Sequence, residues 1–111
     1  MDKNQFRMIA DDLALESTTT QVIKLINQWF VEEGITQNEI QQMMLQSHIR
    51  AMVERAKTLE QLPEVDPQMF EEISPASMTL ARRTVSLFDT LSMAEAYLLA
   101  VHYEVARNNL A

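Results

Sequence analysis

Residues 36–58 read TQNEIQQMMLQSHIRAMVERAKT, and the reading of this stretch decides the fold. Thr36-Gln37-Asn38-Glu39 has the form of a capping box. Thr at the N-cap and Glu at N3 would each satisfy a backbone N–H that a helix start leaves unpaired. The helix it opens is expected to run to about Thr58. Its apolar residues lie on more than one side: Ile40, Met43, Met44 and Ala51 on one, Leu45, Ile49, Met52, Val53 and Ala56 on another. A helix apolar around so much of its girth belongs at the centre of a fold, or half in an oligomer interface.

The flanking segments are helical too. Before it, Val22, Leu25, Ile26, Trp29 and Phe30 recur at i, i+3, i+4, i+7 and i+8, one broad apolar face. Gly34, the only glycine in the chain, is placed to end that helix in a left-handed conformation. Phe6, Ile9 and Leu13 mark a weaker helix over 3–15, and Ser17-Thr18-Thr19-Thr20 is expected to interrupt it and cap the next. Residues 59–68, with Pro63 and Pro67, read as a loop, and Asp66-Pro67 can open a short helical turn. Ser74-Pro75 caps a helix of about fifteen residues, with Met78, Ala81, Val85 and Phe88 on one face and Arg82 and Arg83 on the other. Ser92-Met93-Ala94-Glu95 reads as a second capping box, opening a last helix with Leu98, Leu99, Val101, His102, Val105 and Ala106. No segment alternates as a strand does. The expectation is an all-α chain: a compact bundle of about five helices, with an N-terminal helical extension over 1–17 and one domain over 18–111. Short connections predict that successive helices pack roughly antiparallel.

Composition narrows the function. The 111 residues suit one domain. The absence of Cys removes disulfides, thiolate metal sites and a cysteine nucleophile. No apolar run approaches the ~18 residues of a membrane span, and the N-terminus lacks the apolar core of a signal peptide. The expected location is therefore cytoplasmic, with no membrane partner. A net charge of −7 has the wrong sign for direct nucleic-acid binding. No phosphate-binding glycine loop or GxSxG nucleophile motif is present, so no catalytic residue and no enzymatic activity are assigned.

Two residues remain with chemistry to offer. His48 and His102 each lie on an apolar helical seam, and each is two turns from a charged residue on the same face. Arg55 follows His48 by seven positions, and Glu95 precedes His102 by seven. An imidazole can hold one nitrogen by a hydrogen bond and keep the other free to react. It can serve as acid–base catalyst, metal ligand or phosphoryl acceptor. Two histidines without a carboxylate cluster are too few for a metal site, so no metal or other cofactor is expected. The bland reading is that both are satisfied core or boundary histidines. Likewise, the methionines crowding residues 43–52 are either core filling or an adaptable contact surface.

The segments around these histidines resemble a known family. Met44-Leu45-Gln46-Ser47-His48-Ile49-Arg50-Ala51-Met52-Val53-Glu54-Arg55 resembles the first histidine motif of the PTS regulation domain, or PRD. Leu91-Ser92-Met93-Ala94-Glu95-Ala96-Tyr97-Leu98-Leu99-Ala100-Val101-His102 resembles the second. The resemblance covers residues 18–108. It implies a helical bundle that often dimerises, in a regulator of transcription. It also implies histidines phosphorylated by the phosphocarrier HPr or by a sugar-specific enzyme II component of the bacterial phosphotransferase system. On this resemblance His48 and His102 are the phosphoryl acceptors, with Arg55, Arg50 and Glu95 in support. Two departures stand out. Ser47 occupies a position where the family commonly has Asp, and the chain carries one copy of the domain without an antiterminator's RNA-binding module.

The expectation is a stand-alone regulation domain, homodimeric, served by HPr or an enzyme II component, with an operon-encoded protein as a further partner. The alternative is a helical scaffold or interaction protein whose histidines are structural. The two histidines are expected at one shared face or groove.

Overall fold

The computed structural model describes residues 14–108. Four α-helices and one 3-10 turn follow in order: α1 (Leu15–Glu33), α2 (Glu39–Thr58), the 3-10 turn (Pro67–Phe70), α3 (Pro75–Val85) and α4 (Met93–Arg107). No β-strand occurs among the described residues, and no helix among them is long and apolar enough to cross a membrane. The helix expected over 3–15 lies almost wholly outside the described residues.

The α1–α2 connection is set by Gly34, whose φ of 72° is the left-handed conformation that glycine adopts without steric cost. Its N–H reaches Val31 O at 3.2 Å, and Ile35 N–H reaches Phe30 O at 2.8 Å. This paired closure satisfies two carbonyls that the helix end would otherwise leave open. It also turns Ile35 into the core. At the far end of the hairpin Arg50 pairs with Glu16 at 2.8 Å, so α1 and α2 are antiparallel. Both partners are exposed, and such a pair adds little stability.

Three local expectations are corrected. The box at the start of α2 is Asn38 and Gln41, not Thr36 and Glu39. Asn38 Oδ1 accepts from Gln41 N–H at 2.8 Å, and Gln41 Oε1 accepts from Asn38 N–H at 3.0 Å. Two overlapping boxes compete here, and the closure that buries Ile35 pushes the helix start two residues on. Ser17–Thr20 do not interrupt or cap a helix; they lie within α1, which begins after Ala14. Thr19 and Thr20 hydroxyls donate back to the carbonyls of Leu15 and Glu16, so they need not break the helix. α1 thus crosses residues 17 and 18 without a break. Finally, α3 has 11 residues, capped by Ser74 Oγ accepting from Ser77 N–H. Leu87 and Phe88 are buried from the turn that follows it.

The core is shared by all four helices, with Ile26, Ile49, Met52, Val53, Leu80, Ala81, Leu99 and Ala100 almost wholly buried. α3 packs most extensively on α4, α1 on α2, and α2 on α4. Of the methionines crowding α2, Met52 is core, whereas Met43 and Met44 are 69% and 55% exposed. Ile40 is exposed beside them, so the second apolar side of α2 has no cover within the described chain. Arg83 lies 4.2 Å over the Trp29 ring, tying α3 to α1 by a cation–π contact.

Tyr103 is fully buried on α4, edge-on to Phe30 at 5.3 Å. Its hydroxyl lies 2.8 Å from Thr84 Oγ1. Thr84 has one hydroxyl proton and spends it on Leu80 O at 2.9 Å, so Tyr103 is the donor. Burial pushes the Tyr103 phenol well above its usual range, which keeps that donor protonated. The two halves of this bond are therefore unequal. Tyr103→Phe leaves Thr84 bonded to Leu80 and is expected to cost about 1 kcal/mol, whereas Thr84→Val strands a buried hydroxyl and is expected to cost about 1–3 kcal/mol. Urea denaturation of the two variants checks this ordering.

Candidate functional site

His48 comes from the middle of α2 and His102 from the second half of α4. The α4 residue seven positions before His102, Glu95, meets the α2 residue seven positions after His48, Arg55. The two helices are therefore antiparallel, and the same two-turn step from the Arg55–Glu95 contact brings the histidines together. Their ring centroids are 4.7 Å apart, with the planes inclined at 44°. The expectation of a shared face is met: two imidazoles in contact form one layer, and the ion pair forms the next.

Both rings are half-buried, and burial is the main cause lowering the pKa of each. His48 is brought down to about 4, first by burial and then by the neighbouring His102 and Arg55. Neutral imidazole is thus the form present near pH 7 at both positions. The Nε2 atom of His48 is buried and has no hydrogen-bond partner. Among the described residues no third His, Cys, Asp or Glu joins the pair to complete a metal site.

Arg55 Nε and Nη2 donate to the two carboxylate oxygens of Glu95 at 2.7 and 2.8 Å. Arg55 is 16% exposed and Glu95 only 1%. Glu95 thus bears on the site through Arg55, the partner of both its oxygens. This corrects one expectation: Glu95 does not close a capping box with Ser92, whose hydroxyl makes no cap bond and is left buried without a partner. The bidentate charged pair is the stronger interaction, and it draws the carboxylate inward from the helix start. Arg50 is elsewhere, held by Glu16 at the surface.

The rim is apolar. Met44 on α2 and Val101 and Val105 on α4 are exposed, and Ser47 adjoins His48 on the outside. A polar cluster at the other edge of α4 was not read from the sequence. Glu104 Oε1 accepts from the hydroxyls of Ser74 and Ser77, each at 2.7 Å, and these bonds lower its pKa. Arg107 then links Ser77 to Glu33 at the end of α1. The readable part was the Ser74 cap; its acceptor, thirty residues away, has no local signal.

Two measurements follow. Arg55→Ala strands a buried carboxylate and is expected to destabilise the domain by about 3–5 kcal/mol, while Arg55→Met combined with Glu95→Leu recovers most of the loss. Thermal and urea unfolding of the single and double variants decide it. For His48, the unfolded chain protonates near pH 6.5 and the folded chain near 4, so the unfolded state binds more protons in between. Its contribution to stability is complete above about pH 6.5 and is lost as pH falls through about 4. Moving from pH 7 to pH 5 is expected to cost about 1–2 kcal/mol, with a shallower slope in His48→Gln.

No protein-family model and no curated protein matches the chain. Among solved structures, a PRD-containing transcription regulator from Lactobacillus casei ATCC 334 superposes with a TM-score of 0.81. The two are 30% identical, over 94% of this chain and 93% of that one. An identity of that size over nearly the whole of both chains, with the same helical bundle, shows that the chain belongs to the PRD family.

Proposed function

We propose that this domain is a regulatory module of transcription in the cytoplasm, and that His48 and His102 accept phosphoryl groups from HPr or a sugar-specific enzyme II component. The observation that carries the reading is the pair of neutral imidazoles in contact at one face, 4.7 Å between centroids. A neutral imidazole nitrogen has the lone pair that attacks phosphorus. Arg55 is close enough to act electrostatically on His48, and a cation there favours a group bearing about two negative charges. The domain is an acceptor in this scheme, not a catalyst with turnover.

The readout is assembly. Exposed Ile40, Met43 and Met44 on α2, with Val101 and Val105 on α4, suit burial against a second copy or an operon-encoded partner. A phosphoryl group beside that surface would set charge against apolar burial and shift the equilibrium between packed and separated forms. The competing scaffold reading draws on one observation, the sealed Nε2 of His48, which a donor protein cannot touch directly.

Incubation with phosphoenolpyruvate, enzyme I and HPr, followed by intact mass and light scattering, tests the proposal. The expected result is a phosphoryl adduct that disappears in His48→Ala combined with His102→Ala, with a change in the monomer–dimer ratio. An unchanged mass leaves the scaffold reading.

A further inference from the structure

Two histidines in one domain need not be two separate targets of the donor. We propose that the phosphoryl group enters at His102 and is then passed within the domain to His48. This rests on the acceptor reading above and adds a transfer step between the two rings.

Three observations converge on it. The rings are in contact, so a phosphoryl group on one is confined beside the other. They differ in access. His48 has a ring nitrogen, Nε2, that is buried and without a partner, whereas neither ring nitrogen of His102 is sealed in that way. They also differ in electrostatic surroundings. Arg55 acts on His48, whereas burial is the cause resolved for His102. The outer ring is the one a protein donor meets, and the inner ring is the one beside a cation. Access therefore sets the order of transfer, from His102 to His48.

The step balances without a further reactant. The lone pair of His48 Nε2 attacks phosphorus while the P–N bond to His102 breaks, and that bond's electron pair returns to the His102 ring. A phosphorylated His102 ring that carries a proton on its other nitrogen leaves as neutral imidazole. His48, protonated on Nδ1, becomes the phosphoimidazolium. No proton leaves either ring. Confinement of both rings supplies the approach that a bimolecular reaction must find by diffusion.

The test is a pulse and chase on the whole chain. Wild-type protein is labelled briefly with HPr, enzyme I and phosphoenolpyruvate; the donor proteins are then removed by affinity capture. Electron-transfer mass spectrometry at basic pH follows each phosphohistidine with time. The expected course is label first on His102, then its decline as His48 gains, with the sum constant. In His102→Gln, labelling of His48 is expected to slow by about tenfold or more, the loss of an intramolecular route. In His48→Gln the label stays on His102. Labelling of His48 at the wild-type rate in His102→Gln, or a site ratio that does not move after donor removal, overturns the relay while leaving both histidines acceptors. No label on either histidine overturns the relay and the acceptor reading together. The wild-type chase depends on no variant, so a poorly folding substitution does not blunt the result.

Discussion

Arg55 and Glu95 meet through two parallel hydrogen bonds between α2 and α4, with Glu95 cut off from water. Removing a carboxylate from water costs several kcal/mol, and only good geometry with a fully matched partner offsets it. An apolar pair of the same volume would hold the two helices at least as tightly. What an apolar pair lacks is direction. Met52, Val53, Leu99 and Ala100 are buried on the same two helices, but apolar burial is non-directional and sets no register by itself. A guanidinium and a carboxylate do set one, because a slip of ~5.4 Å leaves both charges buried and unpaired. The ion pair therefore fixes the register of α2 against α4. The histidines, each two turns away along its own helix, inherit their contact from that register.

This explains how much of the site was legible in sequence. The seven-residue spacings on the two helices, His48 to Arg55 and Glu95 to His102, are mirror images, and antiparallel packing turns mirror images into facing layers. The shared face was readable for that reason. The pairing within the layers was not, since Glu95 equally satisfied the pattern of a capping box with Ser92. Local pattern could not weigh a backbone N–H within hydrogen-bond reach against a guanidinium forty residues away. The same limit appears at α2, where Thr36 and Asn38 offer overlapping boxes and burial of Ile35 chooses between them. It appears again at Ser17–Thr20, whose hydroxyls satisfy themselves on their own helix. Helix existence followed from period; helix ends followed from tertiary contacts with no local trace. Leu59 is a further case, ending α2 at a φ of 67° where glycine would be the unstrained choice.

The exposed apolar side of α2 was also foreseeable, because no single core contact covers both sides of a helix. The four helices bury the stripe that carries Ile49 and Val53 and leave Ile40, Met43 and Met44 in water. Met adapts its side chain to more than one partner surface. Met44, one turn before His48 on α2, brings the edge of this uncovered side next to the two rings. A charge placed on either ring must be solvated there, and that requirement opposes covering this side.

Under the proposed function the ion pair has a second consequence. A phosphoryl group on His48 would present Arg55 with a second anion, and one guanidinium cannot serve both fully. Glu95 is the poorer competitor in charge but the more costly one to abandon, since it is buried and has no other partner. The group on His48 and the α2–α4 clamp are thus linked through one side chain, and the linkage is reciprocal: whatever strengthens the clamp weakens the hold on the phosphoryl group by the same free energy. A partner that packs on the α2–α4 face and tightens the clamp would then favour the unmodified domain. Phosphorylation would loosen it. In this scheme the sign of regulation would follow from where Arg55 is anchored, and removing the Glu95 carboxylate would abolish the linkage together with the clamp.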